Sequence, residues 1–398
     1  MAKAVQKVVR RESGSSFFIP SLLALVMFVM GSDLNIVAPF MAPISHSFKV
    51  PLSSTGWLVT VFAFGYAGAS PLTGYLSDRM GRRPIFFSGT ALFIVFDGLS
   101  ALSPSFWILA VSRTIAGVAA GAISPVGYAL LSDVVSIKHR ARAMSIVSMG
   151  FSLSTIAGVP LGLLLSRAWG WRGVVASLAG AMLIIAVVSY QLLPHPLIPA
   201  SVPRTRKSLP PRARTSRWLG GQLPILYASA MAFFAVGMVY TYMPDMLTRH
   251  RASADALLAI LLGYGLFNLA GNYFFGWVGD RTDPQYAVKI AQIFEAVALL
   301  AVAGALWMQV RLIVLTPLLW LFGAGQAYIP DLKALASQGT PQRRGLRLAW
   351  NNTAMYAGMM AGSAGASLLF HPGQFAILPL ISAVMVLTAL PFMGQANR

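Results

Sequence analysis

The sequence predicts an all-α membrane protein with twelve transmembrane helices in two six-helix bundles. Of its 398 residues, 57% are hydrophobic and only 10% are charged, whereas soluble domains carry about 25% charged residues. The apolar residues fall into twelve runs, and a polar stretch near the middle of the chain separates six of these runs from the other six. Most of the chain is therefore expected to lie in lipid.

Each apolar run is long enough to cross a bilayer, which requires about 20 mainly apolar residues per helix. The runs of the first half are residues 17–44, 53–76, 85–102, 105–131, 143–166 and 173–194. The runs of the second half are residues 222–246, 255–279, 287–309, 311–333, 346–370 and 374–393.

The first run could be mistaken for a signal peptide, because basic residues such as Arg10 and Arg11 precede it. It continues past Asp33 to about Ile44 and contains no convincing small-residue cleavage site. We therefore expect it to remain as the first membrane span.

Residues 195–222 are rich in proline, contain six basic residues and have no apolar periodicity. Such a composition is typical of a linker that is extended or forms only a short surface helix. It divides the chain into an N-terminal bundle, residues 1–194, and a C-terminal bundle, residues 223–398.

The basic residues predict the orientation in the membrane. With the N-terminus in the cytoplasm, 23 of the 30 Lys and Arg residues lie in cytoplasmic segments, six lie outside, and Arg113 lies within a span. Cytoplasmic segments of membrane proteins are enriched in Lys and Arg. The formal charge of +19 is thus explained by topology, with the linker and both termini cytoplasmic.

Several function classes are excluded by what the sequence lacks. Basic residues are not interleaved with aromatic residues as nucleic-acid binding requires, and no phosphate-binding loop is present. There is no cysteine, and the five histidines are scattered, so no metal site, disulfide or thiol chemistry is expected. We expect neither an enzyme nor a resident cofactor. Transport work must come from an ion gradient or from the substrate's own gradient, and the proton is the expected coupling ion.

The two halves carry related landmarks. Gly74, Asp78 and Arg79 follow the second run, and Gly276, Asp280 and Arg281 follow the eighth run 202 residues later. Asp133 and Asp331 end the fourth and tenth runs at an offset of 198 residues. The halves therefore look like copies of one another, as in many secondary transporters.

The loop after the second run, GYLSDRMGRR, resembles the signature of the major facilitator superfamily at every fixed position. The resemblance implies the twelve-helix fold of that family and transport by alternating access. It also implies that Asp78 and Arg82 form a charge relay with Asp133 that favours the outward-facing state. The residues of this predicted conformational latch are Gly74, Asp78, Arg79, Gly81, Arg82, Arg83 and Asp133.

Two further segments carry the same resemblance. LAVSRTIAG in the fourth run is similar to the second motif of the family, which makes Arg113 the buried arginine associated with proton coupling. Residues 150–162 resemble the antiporter motif of exporters, although Val159 and Leu163 depart from its strictest form. The motif residues are Gly150, Gly158, Pro160 and Gly162. Together they resemble the bacterial branch of twelve-span drug:proton antiporters and sugar exporters.

A charged side chain within a span raises the free energy of the protein unless it is paired or hydrated, so such residues point to function. Asp33 and Arg113 are expected at similar depth in the outer half of the membrane, where they could pair or compete for a proton. Asp97 and Glu295 rank after this pair. They lie in the third and ninth spans, which are commonly peripheral in this family, so either residue could approach a lipid headgroup.

The second half contains polar and aromatic residues within its runs. Any one of them is more often a contact between helices than a ligand contact, but as a set they predict an amphipathic substrate cavity. They are Tyr240, Asn268, Asn272, Trp320, Gln326, Asn351, Asn352 and Tyr356.

The sequence thus predicts a monomeric transporter of the bacterial inner membrane, with a small molecule, protons and lipid as its partners. Proton-coupled efflux of a small amphipathic or cationic compound is the expected function. Proton-linked uptake of a sugar or organic acid is the alternative within the same fold. A lipid flippase or a membrane sensor that does not transport is the alternative from a different class.

Overall fold

The computed structural model describes residues 2–135, 140–192, 215–337, 344–369 and 375–394, and these residues form helices and no strand. All twelve predicted runs are helical over most of their described length, and the predicted fold class is confirmed. Seven helices in the described part are individually long and apolar enough to cross a membrane. Helices Leu52–Met80 and Arg344–Leu369 are also long but less apolar, and the apolar helices Leu312–Gly325 and Ile377–Leu387 are shorter.

The first half has six α-helices. A π-helical segment, Ser154–Gly158, joins the fifth α-helix to the sixth. The sixth α-helix contains the end of the fifth span and the sixth span, and its backbone breaks between them at Gly170, whose φ is 63°. The helices are α1 (Ala2–Phe48), α2 (Leu52–Met80), α3 (Arg82–Leu102), α4 (Phe106–Val134), α5 (Arg140–Leu153) and α6 (Val159–Leu192).

The second half has eight α-helices in its described residues, because two of its spans are split. The seventh span contains the π segment Val236–Tyr240, and the tenth contains the 3₁₀ turn Gln326–Tyr328. The helices are α7 (Thr215–Ala235), α8 (Met243–Arg249), α9 (Ala254–Arg281), α10 (Pro284–Trp307), α11 (Leu312–Gly325), α12 (Ile329–Ser337), α13 (Arg344–Leu369) and α14 (Ile377–Leu387). Residues 195–214 of the predicted linker lie outside the described residues, and α7 begins within its last part.

A proline follows each of the three π and 3₁₀ segments. Proline has no N–H to donate to the carbonyl four residues earlier in a helix. Pro160, Pro244 and Pro330 each lie four residues after a residue of one of the irregular segments. Local π and 3₁₀ geometry accommodates the missing bond at these positions, whereas Pro71 and Pro125 lie inside regular helices.

One backbone feature recurs at the offset of the sequence landmarks. Lys49 and Arg251, 202 residues apart, both adopt left-handed conformations, with φ of 54° and 62°. Each follows the end of a helix, and the next residue donates its N–H to a carbonyl five residues back, Val50 to Ser45 at 3.1 Å and Ala252 to Leu247 at 3.0 Å. This is the helix-ending turn in which glycine is usual at the left-handed position.

The two halves meet along α2 and α13, and the π segment of the fifth span packs against α9. By the predicted topology, the cytoplasmic end of the bundle carries Asp78 and Asp133, and the outer end carries Arg167 and Asp255. Within the first half α2 and α3 pack on α4, and in the second half α13 packs on α7 and α11 on α9.

Candidate functional site

The predicted latch loop joins α2 to α3. Gly81 separates the two helices with φ of 98°, a conformation that L-residues with a side chain rarely adopt. The tight turn places Asp78, in the last turn of α2, beside Arg82, the first residue of α3. Glycine at this position is therefore required by backbone geometry.

Arg82 is the centre of the latch. Its Nε donates to Asp133 Oδ2 at 2.6 Å, and its Nη2 lies 3.0 Å from Asp78 Oδ1. A longer contact of 3.4 Å joins Nη1 to the hydroxyl of Ser77. One guanidinium thus connects α2, α3 and the cytoplasmic end of α4, as the predicted relay requires.

The other latch residues have different surroundings. Arg83 is buried, donates to the carbonyl of Tyr190 at 2.6 Å and lies over that residue's ring, so it anchors α3 to the sixth span. Arg79 lies over the ring of Tyr75 within its own helix. At Gly74 a side chain would meet no atom within 4 Å. Open space therefore lies beside this glycine.

Asp33, Asp97 and Arg113 form a buried ionic cluster in the first half. Arg113 Nη1 donates to Asp33 Oδ1 at 2.6 Å and to Asp97 Oδ1 at 3.3 Å. Both carboxyl side chains are fully buried and the arginine side chain is 4% exposed. The guanidinium also lies 4.8 Å from the ring centroid of Phe62. The structure therefore brings three helices, α1, α3 and α4, to one charged centre.

This cluster has an unbalanced charge and spare hydrogen-bonding capacity. With both carboxyls ionised it bears a net charge of −1, and with one carboxyl protonated it is neutral. Asp33 Oδ2, Asp97 Oδ2 and Arg113 Nε are buried and make no hydrogen bond to a described residue. Buried polar atoms are normally satisfied by the protein or by water. The cluster can therefore take up a proton or a water molecule.

A small cavity adjoins the cluster on the side of the outer end. It has a volume of about 20 Å³ and is lined by Arg113 and Ser100 together with apolar side chains of α1 and α6, such as Ile36 and Trp171. That volume is sufficient for about one water molecule. Arg113 and Ser100 are its polar lining residues, and the rest of the lining is apolar.

The predicted antiporter motif packs against α1 beside the cluster. Side chains built at Gly150, Gly158 and Gly162 would overlap, in turn, with Ala24, Ser32 and Ile36. Pro160 lies in the same span, just after the π segment, whose Thr155 lies 3.4 Å from the amide of Asn35. The glycines therefore let the fifth span approach the helix that carries Asp33.

The predicted cavity residues of the second half fall into two groups. Four residues of the first group lie on α9 or the tenth span, and Tyr240 of the seventh span packs against Tyr264 of α9. Contacts in this group join helices: Trp320 donates to the carbonyl of Ile260 at 3.0 Å and Asn268 donates to that of Gly323 at 2.9 Å. Their role in a cavity stays a prediction. This group comprises Tyr240, Asn268, Asn272, Trp320 and Gln326.

The second group lies on α13. Tyr356 stacks on Tyr66 of α2 with ring centroids 3.5 Å apart. Asn351 accepts a hydrogen bond from Ser229 at 2.7 Å, and Asn352 is partly exposed. Sequence reasoning missed Tyr66, although an aromatic residue in a span that faces the other half is the kind of signal that could have identified it. The stack joins the two halves near mid-membrane.

The outer end of the interface between the halves is closed. Tyr242 donates to the carbonyl of Ser53 at 3.1 Å, and an ion pair joins Arg167 to Asp255 across the interface. Closer to the middle, Thr353 donates to the carbonyl of Ala67 at 3.3 Å. The latch around Arg82 is therefore intact in a structure whose outer end is closed, and its preference for the outward-facing state stays a prediction.

Known proteins resemble this chain in sequence and in structure. The family model described as Major Facilitator Superfamily matches residues 23–363. An uncharacterized MFS-type transporter of Bacillus subtilis, YbcL, is 26% identical over 93% of each chain. A probable sugar efflux transporter of Pasteurella multocida is 28% identical over 63% of this chain and 61% of its own length. The crystal structure of a D-xylose-proton symporter superposes with a TM-score of 0.77 at 18% identity, covering 94% of this chain and 96% of the other. The chain therefore belongs to the major facilitator superfamily and is a membrane transporter.

Proposed function

We propose that this transporter exports a small amphipathic compound in exchange for protons. The observation that carries the proposal is the buried cluster of Asp33, Asp97 and Arg113, in which two carboxyls share one guanidinium at 2.6 and 3.3 Å. Its charge changes between −1 and zero when one proton binds. A net charge buried in a membrane protein is costly. The proton affinity of the cluster must therefore depend on how well its surroundings are hydrated or paired.

The position of the cluster favours exchange of protons with the outer side. The adjoining cavity lies against Arg113 near residues of the outer end. The close packing of the fifth span on α1 at Ser32 ties the surroundings of Asp33 to the helix that carries the antiporter motif. A proton entering from outside would neutralise the cluster, and its release after the outer end closes would drive the return step.

The substrate class is proposed from two indications. The candidate residues near mid-membrane, Tyr66, Tyr356 and Asn352, are aromatic or polar and carry no charge. The relative from Pasteurella multocida is named a probable sugar efflux transporter, and sugars are the first compounds to test. Uptake of an organic acid is less well supported, because Arg113 already holds two carboxyls of the protein itself.

The test uses inverted membrane vesicles with an imposed proton gradient. Accumulation of radiolabelled monosaccharides and of a fluorescent lipophilic cation is measured for the wild type and for Asp33→Asn. We expect the variant to lose accumulation against a gradient while it retains exchange of substrate down a gradient. Asp283→Asn is the matched control, because asparagine can replace the carboxylate that caps α10.

The result also separates the alternatives. Accumulation only in right-side-out vesicles would show uptake, and proton-independent movement of labelled phospholipid would show a flippase. Uphill transport by Asp33→Asn with unchanged dependence on the proton gradient would contradict the coupling role of the cluster.

A further inference from the structure

A second buried carboxyl lies in the C-terminal half, outside the proposed coupling cluster. Glu295 lies eleven residues after Pro284 and twelve before Trp307 in α10, hence about 16–18 Å from either end of the helix at 1.5 Å per residue. Its side chain is fully buried. It therefore lies deep in the membrane, where a carboxyl group is rare and expensive.

The partner of Glu295 comes from the broken part of the tenth span. The hydroxyl of Tyr328, in the 3₁₀ turn, donates to Glu295 Oε2 at 2.7 Å. The same turn contributes Gln326, whose Oε1 accepts a hydrogen bond from Tyr264 of α9 at 2.6 Å. A Cβ at Gly325 would lie 2.8 Å from the Cα of Glu295, which shows how closely the tenth span approaches α10. The break next to Pro330 thus builds a polar pocket around this carboxyl.

The pocket contains unused donors and acceptors. Glu295 Oε1, both amide atoms of Gln292 and Nε2 of Gln326 are buried and make no hydrogen bond within the described part of the chain. A glutamine amide offers an acceptor oxygen and a donor nitrogen. The two amides can therefore serve either form of the acid, since the oxygen accepts from a protonated carboxyl and the nitrogen donates to an ionised one.

No described basic group forms an ion pair with Glu295. From α9 it faces Tyr264 and from the 3₁₀ turn Tyr328, while α11 and α14 carry no titratable side chain. Asp331 and Lys333 follow Tyr328 by three and five residues, hence about 5–8 Å further toward the cytoplasm along the chain. On α10 itself, Lys289 lies six residues nearer the cytoplasm. A charged carboxylate here has no counter-ion in place.

We propose that Glu295 is a second proton-binding site of this transporter, separate from the cluster of Asp33, Asp97 and Arg113 and built by Tyr328, Gln326 and Gln292. Proton loss from the site changes the hydrogen bonds of the Gln326–Tyr328 turn, and α12, which follows that turn, packs against α7 and α13. The site therefore links a protonation event in the C-terminal half to the helix that meets α2.

The test is infrared spectroscopy of the purified full-length protein, with no transport measurement, so it is independent of the proposed function. The C=O stretching band of a protonated carboxyl is recorded as the pH is raised. We expect a band that decreases with rising pH in the wild type and in Asp33→Asn, and that is absent in Glu295→Gln. Tyr328→Phe should move the band to higher frequency, because the carboxyl loses a hydrogen bond.

Three results would overturn the proposal. In the first, Glu295→Gln has the same C=O stretching band as the wild type. In the second, the band assigned to Glu295 does not change with pH. The third is loss of the band on addition of Na⁺ at constant pH, which would show a metal-cation site. If Glu295→Gln does not fold, Tyr328→Phe decides alone, and an unshifted band in that variant contradicts the assignment.

Discussion

The hydroxyl oxygens of Thr60 and Ser363 lie 2.9 Å apart, although the two residues belong to different halves of the protein. Both side chains are buried. Ser363 also donates to the carbonyl of Met359 at 2.9 Å within its own helix. Removing the hydroxyl of Thr60 would therefore break the contact between the halves without leaving Ser363 unsatisfied.

Thr60→Val should shift the protein toward states with an open outer end. A hydrogen bond contributes about 1 kcal/mol, which corresponds to a change of about fivefold in the conformer ratio. Spin labels on cysteines introduced at His46 and Ala254, which are exposed on opposite halves at the outer end, would measure the change as an increased population of long distances. The absence of native cysteine makes the labelling specific.

Thr60→Ser is the matched control, because it keeps the hydroxyl and should retain the wild-type distance distribution. If Thr60→Val gave that same distribution, the contact would not contribute to closure of the outer end.

Gly74 provides a test of closure at the opposite end. Thr60 and Ala67 contact α13 through Ser363 and Thr353, and Gly74 is the next residue at the same spacing of seven, hence on the same face of α2. It borders open space. Gly74→Leu should be tolerated in the present conformation but should prevent α13 from closing against the cytoplasmic end of α2.

The measurement is the distance between spin labels at Met80 and Thr282, which are exposed at the cytoplasmic ends of the two halves. We expect Gly74→Leu to remove the short-distance population and to reduce transport strongly. Gly180→Leu, at another glycine that borders open space, should leave both unchanged. Normal transport by Gly74→Leu would show that the two helices do not meet there.

Arg82 should not be replaceable by lysine. Its Nε and Nη2 contact Asp133 and Asp78 separately, and lysine has only one nitrogen and no planar fork. Asp78 and Asp133 are about half exposed, so each pair contributes at most about 1 kcal/mol. Arg82→Lys can keep only one of the two pairs and should slow transport by up to about fivefold, whereas Arg82→Gln loses both pairs and should slow it by up to about thirtyfold.

Transport rates in inverted vesicles at equal expression measure this effect, and Asp78→Asn should show a similar loss with normal membrane insertion. Wild-type kinetics in Arg82→Lys would mean that positive charge alone is sufficient at this position.

The central linker tests the topology. A cysteine introduced at Ser208, which lies outside the described residues, should react with an impermeant thiol reagent in inverted vesicles but not in intact cells. This follows from the excess of basic residues in the segments predicted to be cytoplasmic. Labelling of intact cells would reverse the orientation, and with it the direction assigned to transport.

The twelve spans could be predicted because the bilayer imposes a length and a composition on each of them. The positions of the breaks could not be predicted from proline alone, because Pro160 and Pro330 adjoin breaks whereas Pro71 lies inside a regular helix. The pairing of Asp33 with Arg113 was foreseeable from their similar depth in the membrane. The spans and this pairing depend on position along the chain and on local chemistry.

The rotation of each helix about its axis could not be predicted. Asp97 joins the ionic cluster because one face of α3 turns toward Arg113, and apolar residues on all sides of a span hide that orientation. For the same reason Trp320 was expected in a cavity but donates to the backbone of α9. The contacts of a side chain depend on how the helices pack together, and the sequence of one helix does not show that packing.

The left-handed turns at Lys49 and Arg251 bear on how the protein is made. A residue with a side chain costs about 1–2 kcal/mol in this conformation, yet both halves keep the turn at the same place, with the same hydrogen bond behind it. The turn between the first two spans of each half is closed by a hydrogen bond within its own residues. The same turn also ends α10 at Gln309, where Val310 donates to the carbonyl of Ala305 at 3.1 Å. Helix ends that are closed by their own residues allow a hairpin to form locally in either half before the other half is complete.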